Sequence, residues 1–264
     1  MAGRRGKRYR NALDPIDRTV HYPPAEAVAL VKQAAEGTKF DQTVEVHMRL
    51  GVNVRHAEEQ LRGTLALPNG LGKSVSVAVF AEGDAARAAE EAGADFVGAQ
   101  DLASRVEDGW TDFDVAISTP ALMGPVVSKL GRVLGPQGKM PNPKVGTVTD
   151  DVGKAVSEAK AGKVEYRTDR QGNIHLAIGK ASFPDGALLE NYASVIDEIV
   201  RAKPAAAKGR YILSITLTPT MGPGVRVDEN RTRVSEIMAG SSAAAGDAAD
   251  ADETADAEAE PATA

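Results

Sequence analysis

From Ser74 to Leu130 the chain switches repeatedly between short apolar runs and helix-forming stretches. Ser74–Phe80 (SVSVAVF) and Asp114–Ser118 (DVAIS) read as buried strands, and Asp95–Val97 as a third, shorter one. Asp84–Ala92, Gln100–Asp108 and Pro120–Leu130 read as helices. Proline at the start of the last is harmless, because the N–H it lacks would have no partner in the first turn. Strands spaced by helices of this length imply βαβ units and a parallel sheet covered on both faces.

The flanking segments follow another pattern. Pro24–Glu36 is amphipathic, with Ala27, Val28, Val31 and Ala35 on one helix face. Gln42–Leu50 alternates strictly: Val44, Val46, Met48 and Leu50 point one way, Thr43, Glu45, His47 and Arg49 the other. That is a strand with one buried face and one open polar face. Lys163–Thr168 and Asn173–Ile178 flank Asp169–Gly172, a hairpin signal. Pro184–Lys203 is a long helix with Leu188, Leu189, Tyr192, Val195, Ile196 and Ile199 in register, and Tyr211–Thr218 is a last alternating strand. Two glycine-rich stretches, Leu67–Lys73 and Lys160–Lys163, bracket the middle as a double hinge.

Charge divides the chain the same way. The net of −6 is misleading, because residues 239–264 hold seven acids and no Lys or Arg. That tail lacks the apolar residues that offset chain entropy, and disorder is expected there. The remainder holds 31 basic against 30 acidic side chains. Residues 1–67 carry +3, residues 68–159 carry −5 and residues 160–238 carry +3. The expected domains are therefore 1–67 with 160–238, interrupted by 68–159, and followed by the acidic tail.

Several functions are excluded. There are no cysteines, hence no disulfide scaffold, thiolate metal site or cysteine nucleophile. No apolar run is long enough to span a bilayer. No Gly-x-Gly-x-x-Gly follows Ser74–Phe80, and Gly131 to Gly138-Lys139 has the wrong spacing for a phosphate loop and continues with Met140. The histidines, His21, His47, His56 and His175, include no helical i, i+4 pair, and there is no Gly-x-Ser-x-Gly elbow. No cofactor and no catalytic residue is expected.

Residues suited to RNA gather in the flanks. The N-terminal Arg4, Arg5, Lys7, Arg8 and Arg10 surround Tyr9, an arm that either neutralises phosphates or is simply solvated. Lys39 and Phe40 lead into the open-faced strand, and Phe40 either stacks on a base or ribose or caps the local core. Thr43, Glu45 and His47 offer donors and acceptors every second residue, within reach of ribose 2′-hydroxyls. The turn from Arg167 through Asp169, Arg170, Gly172 and Asn173 to His175 concentrates polar groups. Thr218-Pro219-Thr220-Met221-Gly222-Pro223-Gly224 is an uncharged, stiff loop that suits shape reading of a nucleic-acid backbone, though its residues by themselves favour a plain tight turn.

Leu130–Val148 (LGRVLGPQGKMPNPKVGTV), GKRYR at 6–10, KFDQTVEVHMRLGV at 39–52, RGTLALPNGLGK at 62–73, GKASFPDGALLENY at 179–192 and TPTMGPGVRV at 218–227 stand in collinear order. Together they resemble the bacterial branch of the large-subunit ribosomal protein L-one family, the stalk proteins. The resemblance implies an α/β protein of two domains. One is a discontinuous α+β split β-α-β sandwich; the other, inserted, is a Rossmann-like three-layer α/β/α domain without a nucleotide. It implies a non-enzymatic, cytoplasmic constituent of the ribosome, monomeric when free and without membrane contact. Its implied partners are the rRNA of the large-subunit stalk, exit-site tRNA and the messenger of its own operon. Carried over residue by residue, the implied RNA contacts are Lys39, Phe40, Thr43, Glu45, His47, Arg167, Asp169, Gly172, His175, Thr220, Met221, Gly222 and Pro223, with Arg170, Asn173 and Thr218 less firmly placed. Removing the Thr220 hydroxyl is expected to weaken RNA binding and leave stability little changed. The Gly135–Lys144 loop is expected to be structural or interdomain.

Overall fold

A computed structural model describes residues 6–124, 126–232 and 237. The helices are α1 (Lys7–Leu13), α2 (Pro24–Ala35), α3 (Asp84–Glu91), α4 (Gln100–Glu107), α5 (Pro120–Met123), α6 (Gly131–Gln137), α7 (Val152–Lys160) and α8 (Asp185–Arg201). The strands are β1 (Thr43–Leu50), β2 (Arg62–Ala66), β3 (Val77–Phe80), β4 (Phe96–Gly98), β5 (Val115–Ser118), β6 (Lys163–Arg167), β7 (Asn173–Lys180), β8 (Ile212–Pro219) and β9 (Val225–Val227). Two compact units result: the chain up to Gln60 and from Thr168 onward, and Leu61–Arg167.

The first unit is built on an antiparallel sheet of strand order β7-β1-β8-β9. Alternation along β1 buries Val44, Val46, Met48 and Leu50 completely or nearly so. Helix α2 lies along β8 and β9 and helix α8 along β7. Helix α8 turns Leu188, Tyr192, Val195, Ile196 and Ile199 inward at helical spacing. Each such aliphatic side chain contributes roughly 1.5–3 kcal/mol by leaving water. With both helices on one side, the polar side chains of β1 are left on an open face.

The second unit has a parallel sheet of order β4-β3-β5. Successive β3 residues feed opposite faces. Ala78 and Phe80 pack with Leu102 and Val106 of α4 and with Leu130 and Leu134. Val77 and Val79 pack with Ala89 of α3 and Val156 of α7. The expected helix Pro120–Leu130 is interrupted: α5 ends at Met123 and a 3-10 turn covers Val127–Leu130. Pro125 in that stretch supplies no N–H to a continuous helix. The Gly135–Lys144 loop is held within this unit, where Lys139 Nζ donates to the Thr111 carbonyl at 2.9 Å and lies over the Phe113 ring.

The hairpin expected across Asp169–Gly172 does not form. β6 pairs instead with β2, antiparallel from Arg62↔Arg167 to Ala66↔Lys163, while β7 pairs with β1. The turn connects strands that belong to different sheets. Segments 61–67 and 160–167 accordingly lie in the second unit, where the sequence reading placed them in the first. The two glycine-rich stretches also lie inside the second unit and touch there. A Cβ on Gly162, at φ +97°, would stand 2.9 Å from Gly70 Cα. The acidic tail and Arg4 and Arg5 lie outside the described residues; Lys7–Leu13 of the basic arm is helical.

Candidate nucleic-acid interface

The open face of the first unit is a row of short polar side chains in cross-strand register. Thr43, His47 and Arg49 of β1 stand opposite Lys180, His175 and Asn173 of β7. On the other side Glu45, His47 and Arg49 face Thr218, Thr216 and Ser214 of β8, and Thr216 faces Arg226 of β9. Lys180 Nζ donates to Thr43 Oγ1 at 2.9 Å. The imidazoles of His47 and His175 meet Nδ1 to Nδ1 at 2.8 Å, with ring planes 62° apart. Partial burial holds the His47 pKa below its usual value, helped by the charge of His175 and opposed by Glu45. Hydroxyls, imidazoles and cations on one flat surface suit riboses and phosphates.

Two exposed apolar side chains border this face. Phe40 is 52% exposed and Met221 55% exposed, among the most exposed large apolar residues described. Met221 is positioned by Gln42, which is 1% exposed. Its Nε2 donates to the Ala35 carbonyl at 2.7 Å, at the end of α2, and its Oε1 accepts from Met221 N–H at 2.7 Å. Thr38 Oγ1 donates to the Phe40 carbonyl at 2.9 Å, and Asp41 accepts from the Ser182 hydroxyl at 2.7 Å. Arg8 of α1 donates to the Met221 carbonyl. Lys39 beside Phe40 is exposed.

The Thr220–Gly224 loop is locked to the sheet. Thr220 N–H and Oγ1 both donate to the Thr43 carbonyl, at 3.0 and 3.1 Å, and Thr220 Oγ1 accepts from Thr43 N–H at 3.1 Å. The hydroxyl therefore serves the fold first, so its removal acts on stability as well, contrary to the expectation from sequence. A Cβ on Gly222 would stand 2.4 Å from Pro219 Cγ and 3.3 Å from the Ala34 carbonyl oxygen. Pro223 is buried and has no outward surface.

At the corner before β7, Asp169 also turns to its own chain. Its Oδ1 accepts from Gln171 N–H at 2.8 Å and Asn173 N–H at 2.7 Å, and its Oδ2 from Asn173 Nδ2 at 2.9 Å. Burial raises the Asp169 pKa, but these donors and the nearby His175 outweigh it and leave the carboxyl below its ordinary value. Gly172, at φ +80°, is buried, and its carbonyl accepts from Leu50 N–H at 2.9 Å. Arg170 and His175 are exposed. Arg167 ends β6 and belongs to the other unit.

The first unit thus brings together Thr43, Glu45, His47, Asn173, His175 and Thr218 on the sheet, with Lys39, Phe40, Thr220 and Met221 at its border. Gln42, Lys180, Ser214, Thr216 and Arg226 complete it and were not singled out from sequence. Gln42 carried a signal: it falls on the buried phase of the Val44–Leu50 alternation, where a polar residue must find partners. Thr216 shares its alternation phase with Thr218.

This is a two-unit α/β protein that presents an open polar sheet, and among the described residues no three His, Asp or Glu side chains gather as a metal site. The chain belongs to the ribosomal protein L1p/L10e family, whose model matches residues 30–223. It is 57% identical over 230 residues to the large ribosomal subunit protein uL1 of Thermobifida fusca, covering 87% of this chain and 97% of that one. It is 55% identical over 232 residues to the protein of the same name from Kocuria rhizophila, covering 88% and 98%. The resemblance read from the sequence is thereby established, and membership in this family makes the chain a structural protein rather than an enzyme.

Proposed function

We propose that this chain is a constituent of the large ribosomal subunit, in the cytoplasm, that binds the rRNA of the mobile stalk through the open sheet of its first unit. The observation that carries this is the exposed border of Phe40 and Met221, the latter's backbone fixed by the buried Gln42, beside a face of hydroxyls and imidazoles. Thr43, Thr216 and Thr218 meet 2′-hydroxyls, Phe40 and Met221 lie against riboses or bases, and Lys39, Arg49, Arg170, Lys180 and Arg226 screen phosphates. Glu45 accepts from a hydroxyl or base amine, since it repels phosphate. In this reading the first unit is a split β-α-β sandwich and the second a Rossmann-like carrier without a nucleotide. The free protein is a monomer. The same face binds a leader in its own messenger that imitates the rRNA and so represses translation. Movement of the stalk assists release of deacylated tRNA from the exit site.

The experiment is a titration of the purified chain against a transcribed stalk fragment at several salt concentrations. Saturable binding that survives excess non-specific RNA is expected. Its salt slope should be shallow, because hydrogen bonds and apolar contacts carry much of the affinity. A steep slope, equivalent to many released counterions, would overturn the mechanism.

A further inference from the structure

We propose that His47 and His175 form a one-proton site within the sheet face, and that RNA binding at this face takes up a proton there. The inference rests on the proposed RNA-binding function and adds its regulation. The two rings are direct cross-strand partners with Nδ1 atoms 2.8 Å apart. At that distance one Nδ1 donates and the other must be bare, so a single proton lies between them. The outer nitrogens face carboxylates: His47 Nε2 lies 3.6 Å from Glu45 and His175 Nε2 3.8 Å from Asp169. One added proton is therefore accommodated with each outer nitrogen within 4 Å of a carboxylate, whereas two would set Nδ1–H against Nδ1–H and split the pair.

The surroundings determine the direction of the coupling. On β1 the flanking charged groups of this face are Glu45 and Arg49; on β7 and its preceding turn they are Asp169, Arg170 and Lys180. β8 offers only uncharged Ser214, Thr216 and Thr218, and Arg226 of β9 lies one strand further. Burial and the neighbouring ring both oppose protonation of His47 in the free protein. RNA phosphates brought to this face add the negative potential that reverses this, so the complex holds the proton more tightly. By linkage, affinity rises as pH falls.

Two measurements test this on the full chain. The four histidines are resolved by imidazole 15N NMR, with His47→Gln and His175→Gln for assignment and circular dichroism to verify folding. The pair should titrate in two separated steps, and loss of either ring should leave a single step. Independent titration of the two rings overturns the site. Binding of the stalk fragment is then followed from pH 8 to 5.5 at fixed salt. Affinity should strengthen about threefold or more between pH 7.5 and 6, within the tenfold-per-unit limit of one proton, and the His47→Gln/His175→Gln double variant should abolish the slope. A flat wild-type profile, or a slope retained in the double variant, overturns the coupling while the RNA-binding reading stands. Failure to bind at every pH removes that reading and the coupling with it, and the NMR titration still decides the site.

Discussion

Gln42→Leu removes the post on which the border of the proposed RNA face is built. Leucine fills nearly the same volume, so no cavity forms, but it offers neither donor nor acceptor. The Ala35 carbonyl loses a 2.7 Å donor and Met221 N–H a 2.7 Å acceptor, both beside a side chain that is 1% exposed. An unsatisfied buried polar group costs about 1–3 kcal/mol. The Ala35 carbonyl keeps the Thr38 hydroxyl at 3.1 Å, so the cost falls at roughly 1–3 kcal/mol, chiefly from the Met221 N–H. With urea slopes of about 1–3 kcal/mol per molar, the midpoint falls by on the order of 1 M. Far-UV circular dichroism follows the whole chain, and the single tryptophan, Trp110, follows the second unit. The expected result is a dichroism midpoint lowered by that amount, a smaller shift in tryptophan fluorescence, and a loss of RNA affinity of about tenfold or more. A variant that unfolds at the wild-type urea concentration would refute the reasoning, because the buried amide would then be dispensable.

Gly222→Ala places a methyl against Pro219 and the Ala34 carbonyl; a cost of about 1–3 kcal/mol from the displaced loop is expected in thermal unfolding. Phe40→Ala removes a half-exposed ring, so the melting temperature should hold while RNA binding weakens by about 1–3 kcal/mol in a filter assay. Asp169, whose carboxyl is held below its usual pKa, stabilises the corner above its unfolded-state pKa and loses that contribution as pH falls through its depressed folded value. The protection of the Gln171 and Asn173 amides, measured as exchange relative to the intrinsic rate at each pH, should therefore fall toward strongly acidic pH, and the Asp169→Ala variant should show the lowered protection already at neutral pH.

The sequence was most legible where one covering layer imposes one period. Strict alternation in Thr43–Leu50 survives because two helices cover one face only, and the spacing of Leu188, Tyr192, Val195 and Ile199 survives because α8 packs on one side. Pairing at long separation was not legible. Arg167 meets Arg62 across the inserted chain, and the local turn chemistry of Asp169–Gly172 resembles a hairpin whether or not its flanking strands share a sheet. The candidate site divides on the same principle. Polar His175 reads as surface, Phe40 stands open between surface and core until its exposure decides it, and Asp169, Gly172, Thr220 and Pro223, polar or turn-forming in sequence, direct their groups back into the fold. Which polar residues of a loop face outward depends on partners such as Thr43 and Leu50, far away in the chain.

RNA is proposed to bind at the border of Phe40 and Met221 beside the open sheet, and a competition filter-binding titration of the stalk rRNA fragment against the full chain and the Phe40→Ala/Met221→Ala variant decides it. Both side chains are more than half exposed, so the variant should unfold like the wild type. Tight, competitor-resistant binding is expected for the wild type and, for the variant, binding that excess non-specific RNA abolishes. Equal affinity of the two proteins would place the RNA elsewhere.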